Sequence, residues 1–328
     1  STQRQSFSTD SSSFPPRVAR CGLHWAVMAL APFELSCESC GAKLVVETTR
    51  RTARCPYCDS PSVIDRPATA DRPDPVFAIG FSIDGNRARQ NLRGYLKGHR
   101  WAPAALRQAT AERVEGIYLP AYLYSAVADS RYRALIGEDY TEMEYDAKKK
   151  SMRRVTKTEH RDLAGRHRCY VEDLFVTASE GIPNPELEGV EPFDLGGLRR
   201  YAPSVISGWI SEEPSLSRDA SLELAREESR DTVLARLRAF MPGDSTSQLQ
   251  ATTDLTDEAM DLVLLPVWVC AVRWRPDRPP IRLLVNGQTG EVAGTIPVSW
   301  AKVAAVIGAV LGVLGLGALV GALLGWFV

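Results

Sequence analysis

The pattern of apolar and polar residues divides the chain into a polar start, a mixed body and an apolar end. Residues 1–32 are rich in serine and proline and show no periodicity, which predicts a disordered segment. Between 76 and 300, short apolar runs alternate with helix-like patterns, and this alternation predicts a strand-rich α+β body. After Lys302 the chain carries no charged residue, and an apolar run extends to Val328.

Local signals place the elements of the body. Asp84 is predicted to cap a helix that ends at Gly98, and a second helix is predicted over 219–240. Asp129 and Ser130 are predicted to form a turn between two strands. The predicted strands are 76–81, 117–127, 131–136, 171–177, 262–274 and 281–285.

Two short segments of the body resemble each other. Residues 119–122 read Leu-Pro-Ala-Tyr and residues 265–268 read Leu-Pro-Val-Trp, and each precedes a predicted hairpin. Such a match indicates a weak internal duplication, although two short segments do not establish one.

The apolar run at the end of the chain has the length of a membrane span. Residues 301–328 are predicted to form a single transmembrane helix, flanked by Trp300 and Lys302 on one side and by Trp326 on the other. Basic residues before the run orient the bulk of the protein towards the cytoplasm. The sequence therefore predicts a tail-anchored protein of the cytoplasmic membrane.

Glycines recur within the predicted span. Their spacing lets two helix backbones approach closely, so the run also suggests a homo-oligomer formed through this helix. These glycines are Gly308, Gly312, Gly315, Gly317, Gly321 and Gly325.

Four cysteines in two CxxC pairs are the strongest chemical signal in the chain. Cys37 and Cys40 form the first pair, and Cys55 and Cys58 form the second. Thiolates at this spacing are typical of a structural, tetrahedral zinc site, with two disulfides as the alternative. The sequence predicts a zinc ribbon over 33–62 that binds one Zn²⁺, followed by a proline-rich linker over 63–75.

The remaining composition excludes several classes of function. The formal net charge is −1, so the whole chain has no general attraction for nucleic acid. The three cysteines outside the two CxxC pairs are widely spread, which argues against a disulfide framework. His160, His167 and Cys169 are close in sequence, but without an evident orienting acid they do not predict an enzyme.

A basic run is the candidate contact surface of the body. Its first residues are Lys148, Lys149, Lys150, Arg153, Arg154 and Lys157. This run suits an acidic protein partner or anionic lipid, and it has little aromatic interleaving for stacking on bases. A solvated hairpin with charges that protect an edge strand is the alternative.

The order of these motifs resembles a family of bacterial zinc-ribbon proteins with a C-terminal membrane anchor. The resemblance rests on the paired CxxC motifs, on Gly-Ile-Tyr-Leu-Pro at 116–120, on Tyr-Ala-Pro at 201–203 and on Val-Asn-Gly-Gln-Thr-Gly-Glu-Val at 285–292. Members are often labelled primosomal-helicase-like and are often encoded near SPFH (flotillin-like) or phage-shock-type proteins. This chain has no GxxxxGK[ST] phosphate loop, so helicase activity is not expected.

The resemblance implies scaffolding or recruitment of a protein assembly at the membrane. We therefore expect a non-enzymatic, tail-anchored adaptor with a structural zinc ribbon and a membrane-associated protein partner of SPFH or phage-shock type. A membrane-attached nucleic-acid-binding protein is the alternative. A salt-dependent contact through the ribbon arginines Arg50, Arg51 and Arg54 would favour that alternative.

Overall fold

Three antiparallel strands of unusual length form the centre of the fold. The computed structural model describes residues 33–36, 43–46, 50–55, 58, 60–64, 73–146 and 151–325. Side chains are described for these residues except 33–36, 43–46, 62–63, 146, 317–319 and 321–325.

The described strands and helices form a strand-rich α+β fold. The strands are β1 Phe33–Ser36, β2 Lys43–Val46, β3 Thr52–Arg54, β4 Pro61–Val63, β5 Phe77–Ile79, β6 Ala111–Asp146, β7 Ser151–Thr177, β8 Leu198–Arg200, β9 Ile210–Ser211, β10 Ser245–Val272, β11 Ile281–Asn286 and β12 Val292–Ala293. The helices are α1 Gly85–Gly98, α2 Ala104–Gln108, α3 Asn184–Glu188, α4 Pro203–Ile206, α5 Arg218–Phe240 and α6 Trp300–Gly325, with a 3₁₀ turn at Leu195–Gly197.

β6 is the central strand of the main sheet, with β7 on one side and β10 on the other. The predicted turn at Asp129 and Ser130 is wrong, because β6 passes straight through it. Asp129 pairs with Arg168 of β7 and with Asp254 of β10, and the hydroxyl of Ser130 hydrogen-bonds that of Thr253 at 2.8 Å. Pairing on both sides keeps the backbone extended despite local residues that favour a turn.

The main sheet contains the same β-α-β-β unit twice. The first unit is β5, α1, β6 and β7, and the second is β9, α5, β10 and β11. Leu119 and Leu265 are direct partners at the centre of the β6–β10 pair. On each side of this centre, a short strand from the opposite unit pairs in parallel: β9 with β6, and β5 with β10.

The two prolines occupy equivalent positions in these units. Each proline lacks an N–H, and just beyond each one the neighbouring strand changes from the parallel to the antiparallel partner. The carbonyl of Pro120 accepts a hydrogen bond from the N–H of Ala178, and that of Pro266 accepts one from Gly287. The duplication indicated by the two Leu-Pro segments is therefore present in the fold.

α1 and α5 pack on the same face of the sheet, each against strands of the other unit. α1 covers Trp268 and Cys270, and α5 covers the equivalent residues Tyr122 and Tyr124. The Asp84 carboxylate accepts from the N–H of Arg87 at 2.8 Å, which confirms the predicted cap of α1. The predicted helix at 219–240 is confirmed as α5, whose last residue, Phe240, is 59% exposed.

The opposite face of the sheet centre is covered by the chain that follows β7. Ile182, Leu187 and Phe193 pack there on Leu119, Leu265 and other residues of the largest buried cluster. The sheet centre is thus enclosed on both faces, and its strands are apolar there without alternation. Farther along β6, the face turned away from α5 carries mainly polar side chains.

The segment predicted as a zinc ribbon contains two separate two-stranded antiparallel sheets, β1–β2 and β3–β4. The described residues include no group of three or more His, Cys, Asp or Glu side chains that could hold a metal ion. The prediction that the described fold includes a metal-binding domain is therefore wrong. Cys37 and Cys40, which a four-thiolate site needs, lie outside the described residues.

The C-terminal helix α6 corrects the membrane prediction. In the described part of the chain, no helix is both long and apolar enough to cross a membrane. The predicted transmembrane anchor at 301–328 and the predicted location in the cytoplasmic membrane are therefore wrong.

Candidate interaction site

The basic run predicted as a contact surface lies in a two-stranded extension of the sheet. β10 begins beside Gly137, and beyond that point β6 pairs only with β7 among the described strands. We call residues 138–146 and 151–159 the β-arm. At about 3.3 Å per residue it extends roughly 30 Å past the three-stranded region.

The arm and the sheet behind it have two chemically different faces, because side chains alternate along a strand. We call the face turned away from α5 the open face. It carries the odd-numbered residues of β6 from Val127 to Tyr145 and the even-numbered residues of β7 from Met152 to Tyr170. The other face carries the remaining residues and continues beneath α5.

Alternation separates the predicted contact residues. Arg153 and Lys157 lie on the helix side of the arm, and Arg154 lies on the open face. The structure therefore does not bring these three residues together into one basic patch. The other three predicted contact residues, Lys148, Lys149 and Lys150, lie outside the described residues.

On the helix side, basic residues are paired with acids of the neighbouring strand. Lys157 Nζ donates to Glu142 Oε2 at 2.7 Å and lies 3.9 Å from Glu144 Oε1, and Arg161 forms an ion pair with Glu138. The hydrogen bond from Lys157 to Glu142, with the charges of both glutamates, raises the pKa of Lys157. Much of the charge on this side is thus balanced within the hairpin.

The open face of the arm carries exposed apolar side chains. Tyr145 is 61% exposed, Met152 is 56% exposed and Met143 is 54% exposed. Tyr145 is paired directly with Met152, and Met143 with Arg154, so the four side chains are contiguous. We call these four residues the tip patch. Sequence reasoning missed it, although the alternation of Met143 with Tyr145 signals a common face.

Each predicted metal ligand that the structure describes lies in or next to the β3–β4 hairpin. Cys55 is buried, and its backbone N–H donates to the carbonyl of Ser60 at 3.0 Å. Cys58 is exposed, with its sulfur 3.0 Å from the hydroxyl of Ser60. These contacts fix the hairpin turn, and they place Cys55 and Cys58 on one short loop.

The β3–β4 hairpin is attached to the body through Arg51. Its guanidinium donates to Glu213 Oε2 at 3.1 Å and to Asp74 Oδ1 at 3.2 Å. Burial lowers the pKa of Arg51, but the charge of Glu213 and these hydrogen bonds outweigh it, so the net shift is upward. The hydroxyl of Thr52 donates to the carbonyl of Trp209 at 2.7 Å. Arg51 is thus a structural ion-pair residue.

Of the residues predicted to flank a membrane span, Lys302 contacts the protein body and Trp300 is exposed. Lys302 Nζ donates to the carbonyls of Arg100 and Ala102 at 2.9 and 2.7 Å, and so ties the start of α6 to the α1–α2 corner. Trp300 is 79% exposed. Trp326 lies outside the described residues. Among the described residues, no packing neighbour lies within 4 Å of a Cβ placed on Gly308, Gly312 or Gly315.

The histidines of the basic stretch do not converge with Cys169. His167 and Cys169 lie on the helix side of β7, where Cys169 packs beneath α5 and the His167 ring lies 5.4 Å from that of Phe240. His160 lies opposite Gly137 on the open face. The geometry therefore assembles no Cys/His pair with a third partner here.

A cluster of carboxylates lies where α3 meets α5. The amide of Asn184 donates to Glu188 at 2.7 Å and to Glu228 at 2.9 Å. Burial, with the charges of Glu228 and Glu188, raises the pKa of Glu191 to about 8. Glu191 Oε1 is buried and accepts no hydrogen bond from the residues that the structure describes. This cluster of carboxylates was not predicted from the sequence.

Comparison with known proteins identifies one distant similarity. No protein-family model matches the chain, and no solved structure matches it. The chain is 25% identical over 235 residues to the uncharacterized protein YdjG of Bacillus subtilis strain 168. That match covers 70% of this chain and 66% of YdjG, a little under two thirds of the relative.

Proposed function

We propose that this protein is an adaptor that binds another protein through the tip of its β-arm. The observation that carries the proposal is the tip patch of Met143, Tyr145, Met152 and Arg154 on one face of a projecting hairpin. Methionine, tyrosine and arginine are enriched at protein interfaces relative to other surfaces. An apolar cluster exposed at the end of a rigid extension is typical of an interaction site.

The position of the patch supports a contact outside the protein's own core. The buried clusters of the body lie around the sheet centre and beneath α1 and α5. The tip patch is separated from them by the length of the arm, so its side chains do not contribute to core packing. A partner that covers the patch would remove apolar surface from water without disturbing the fold.

The arm contains a matched pair of probe positions. Tyr145 lies on the open face, and Tyr140, which is 47% exposed, lies on the helix side of the same strand. A photo-crosslinking phenylalanine analogue at position 145 is expected to capture one protein in cells that express the chain naturally. The same analogue at position 140 is expected to capture much less of it.

A binding measurement with the captured protein completes the test. Met143→Ser with Met152→Ser should weaken its affinity for the full chain by about tenfold, since central apolar residues dominate interface energies. Tyr140→Ser should leave the affinity within about twofold. Equal capture from positions 140 and 145, or an unchanged affinity of the double variant, would contradict a contact at the tip patch.

A further inference from the structure

The open face behind the tip patch carries arginines that the protein itself leaves unpaired. Arg131, Arg133, Arg154 and Arg168 are exposed, and they form no ion pair with any described residue. We call these four residues the arginine strip. On the helix side of the same ribbon, Lys157 and Arg161 are paired with glutamates. Of the described lysines and arginines of β6 and β7, one of five is paired on the open face (Arg166, with Asp129), against two of three on the helix side, where Arg153 forms no ion pair.

Like charges are placed side by side within the strip. Arg131 lies directly opposite Arg166, whose guanidinium is held by Asp129 at 3.0 Å. Arg133 follows two residues after Arg131 on the same face, about 6.7 Å away along the strand. Like charges directly across a strand pair destabilise a sheet unless an anion lies between them. Asp129 compensates Arg166, but Arg131, Arg133 and Arg168 have no carboxylate partner among the described residues.

The surroundings of the strip distinguish between two kinds of polyanion. The open face also carries Asp129, which is paired with Arg166. It further carries Asp139 and Asp162, which would repel a phosphate backbone with a charge at every unit. Between Tyr170 and Tyr145, the described open face holds no tyrosine, tryptophan or phenylalanine on which bases could stack. An acidic polypeptide carries more widely spaced charges, and it can also place an apolar side chain on the tip patch.

From this arrangement we infer that the open face binds an extended, acidic segment of a protein partner, with carboxylates on the arginine strip and an apolar residue on the tip patch. The inference rests on the proposed adaptor function and adds the chemistry of the partner. From Val127 to Tyr145 the face is about 60 Å long, enough for an extended segment of a dozen or more residues. Arg154 adjoins Met143 in the tip patch, whereas Arg133 lies ten residues back from Met143 along β6, about 33 Å away, so a segment that contacts both runs along most of the face.

The probe for this inference is a fluorescent copolymer of glutamate and tyrosine, compared with a labelled oligothymidylate of similar length. The full chain should bind the copolymer, and added salt should weaken the binding because exposed charges are screened. Arg131→Gln with Arg133→Gln should reduce the affinity about tenfold. Arg153→Gln with Arg238→Gln removes the same charge away from the open face and should change it less than about twofold.

Three results would overturn the acidic-segment inference: equal losses in the two double variants, binding of the oligothymidylate without the copolymer, or self-association of the chain that Arg131→Gln with Arg133→Gln abolishes. In any of these cases, continued crosslinking from position 145 shows that the adaptor proposal stands. Loss of that crosslink, with copolymer binding retained, contradicts the adaptor proposal and leaves the acidic-polymer site in place. Circular dichroism of each variant confirms that its fold is intact.

Discussion

Glu191 is a half-buried carboxyl that forms no ion pair with a described residue. Its neighbours Glu188 and Glu228 are themselves acidic, and the amide of Asn184 hydrogen-bonds both of them, not Glu191. Burial therefore favours the neutral acid, which raises the pKa of Glu191 to about 8. At pH 7 the folded protein keeps a proton here that the unfolded chain releases.

This shift makes stability depend on pH. The folded state holds the extra proton between the ordinary pKa of 4.5 and about 8, so the stabilisation is complete below 4.5 and is lost as pH rises through 8. Glu191→Gln should flatten the decline in unfolding free energy by up to about 1.4 kcal/mol per pH unit. Chemical denaturation from pH 5 to 8 measures the effect.

The exposed Glu180 provides a control for this change. Glu180→Gln makes the same chemical substitution at an exposed position and does not remove a buried carboxyl, so its pH profile should follow that of the unmodified protein. If the profile of Glu191→Gln is parallel to that of the unmodified protein, Glu191 is not the group that titrates.

At the scale of elements, the β3–β4 hairpin is held to the body by a buried ion pair. Arg51 and Glu213 have side chains only 10% and 4% exposed, and the backbone N–H of Arg51 donates to the carbonyl of Ser211 at 2.8 Å. A buried charge that loses its partner is costly because its desolvation is no longer offset. The attachment of this hairpin therefore depends on both residues together.

Removing one member of this pair should destabilise the protein strongly. Arg51→Met is expected to lower the unfolding free energy by about 3 kcal/mol, since Glu213 is left buried without its cation. Arg51→Met combined with Glu213→Leu should recover most of that loss. Urea denaturation of the three proteins measures the coupling, and equal stabilities of the single and double variants would contradict it.

The elements show where sequence reasoning succeeds and where it fails. α1 and α5 could be predicted closely because Asp84 and the 3.6-residue pattern are local signals. The continuity of β6 could not be predicted from the sequence. Asp129 and Ser130 favour a turn by themselves, and only their partners on β7 and β10 keep them extended. The face on which each arginine lies also follows from that continuity.

At the scale of the whole molecule, the two β-α-β-β units exchange their short strands. β5 of the first unit pairs with β10 of the second, and β9 of the second pairs with β6 of the first. Neither unit can complete its part of the sheet without the other. The unfolding of one unit therefore exposes the edge and core of its neighbour.

This exchange predicts one cooperative unfolding transition for the body. Asp84→Ala in the first unit and Ser217→Ala in the second each remove a helix cap and should each cost about 1 kcal/mol. Each variant should shift the circular dichroism and tryptophan fluorescence transitions by the same amount. Separate transitions, or a cap variant that moves only one signal, would show that the units unfold independently.

The sequence by itself determined the strand-rich α+β class, the two long helices and the two related Leu-Pro segments, because these depend on periodicity and on neighbours along the chain. It also supplied the four-cysteine zinc prediction, which stays a prediction because Cys37 and Cys40 lie outside the described residues. The predictions of a transmembrane helix and of a membrane location were wrong. In the described chain, the apolar composition does not produce a helix long and apolar enough to cross a membrane.

Only the tertiary structure decided which basic residues act together. In the sequence, Arg153, Arg154 and Lys157 form one run, but a strand turns successive side chains to opposite faces. Pairing between β6 and β7 then neutralises Lys157 with Glu142 and leaves Arg154 beside Met143, next to Tyr145 and Met152. The candidate site depends on cross-strand register, which is a long-range property that local residue patterns do not specify.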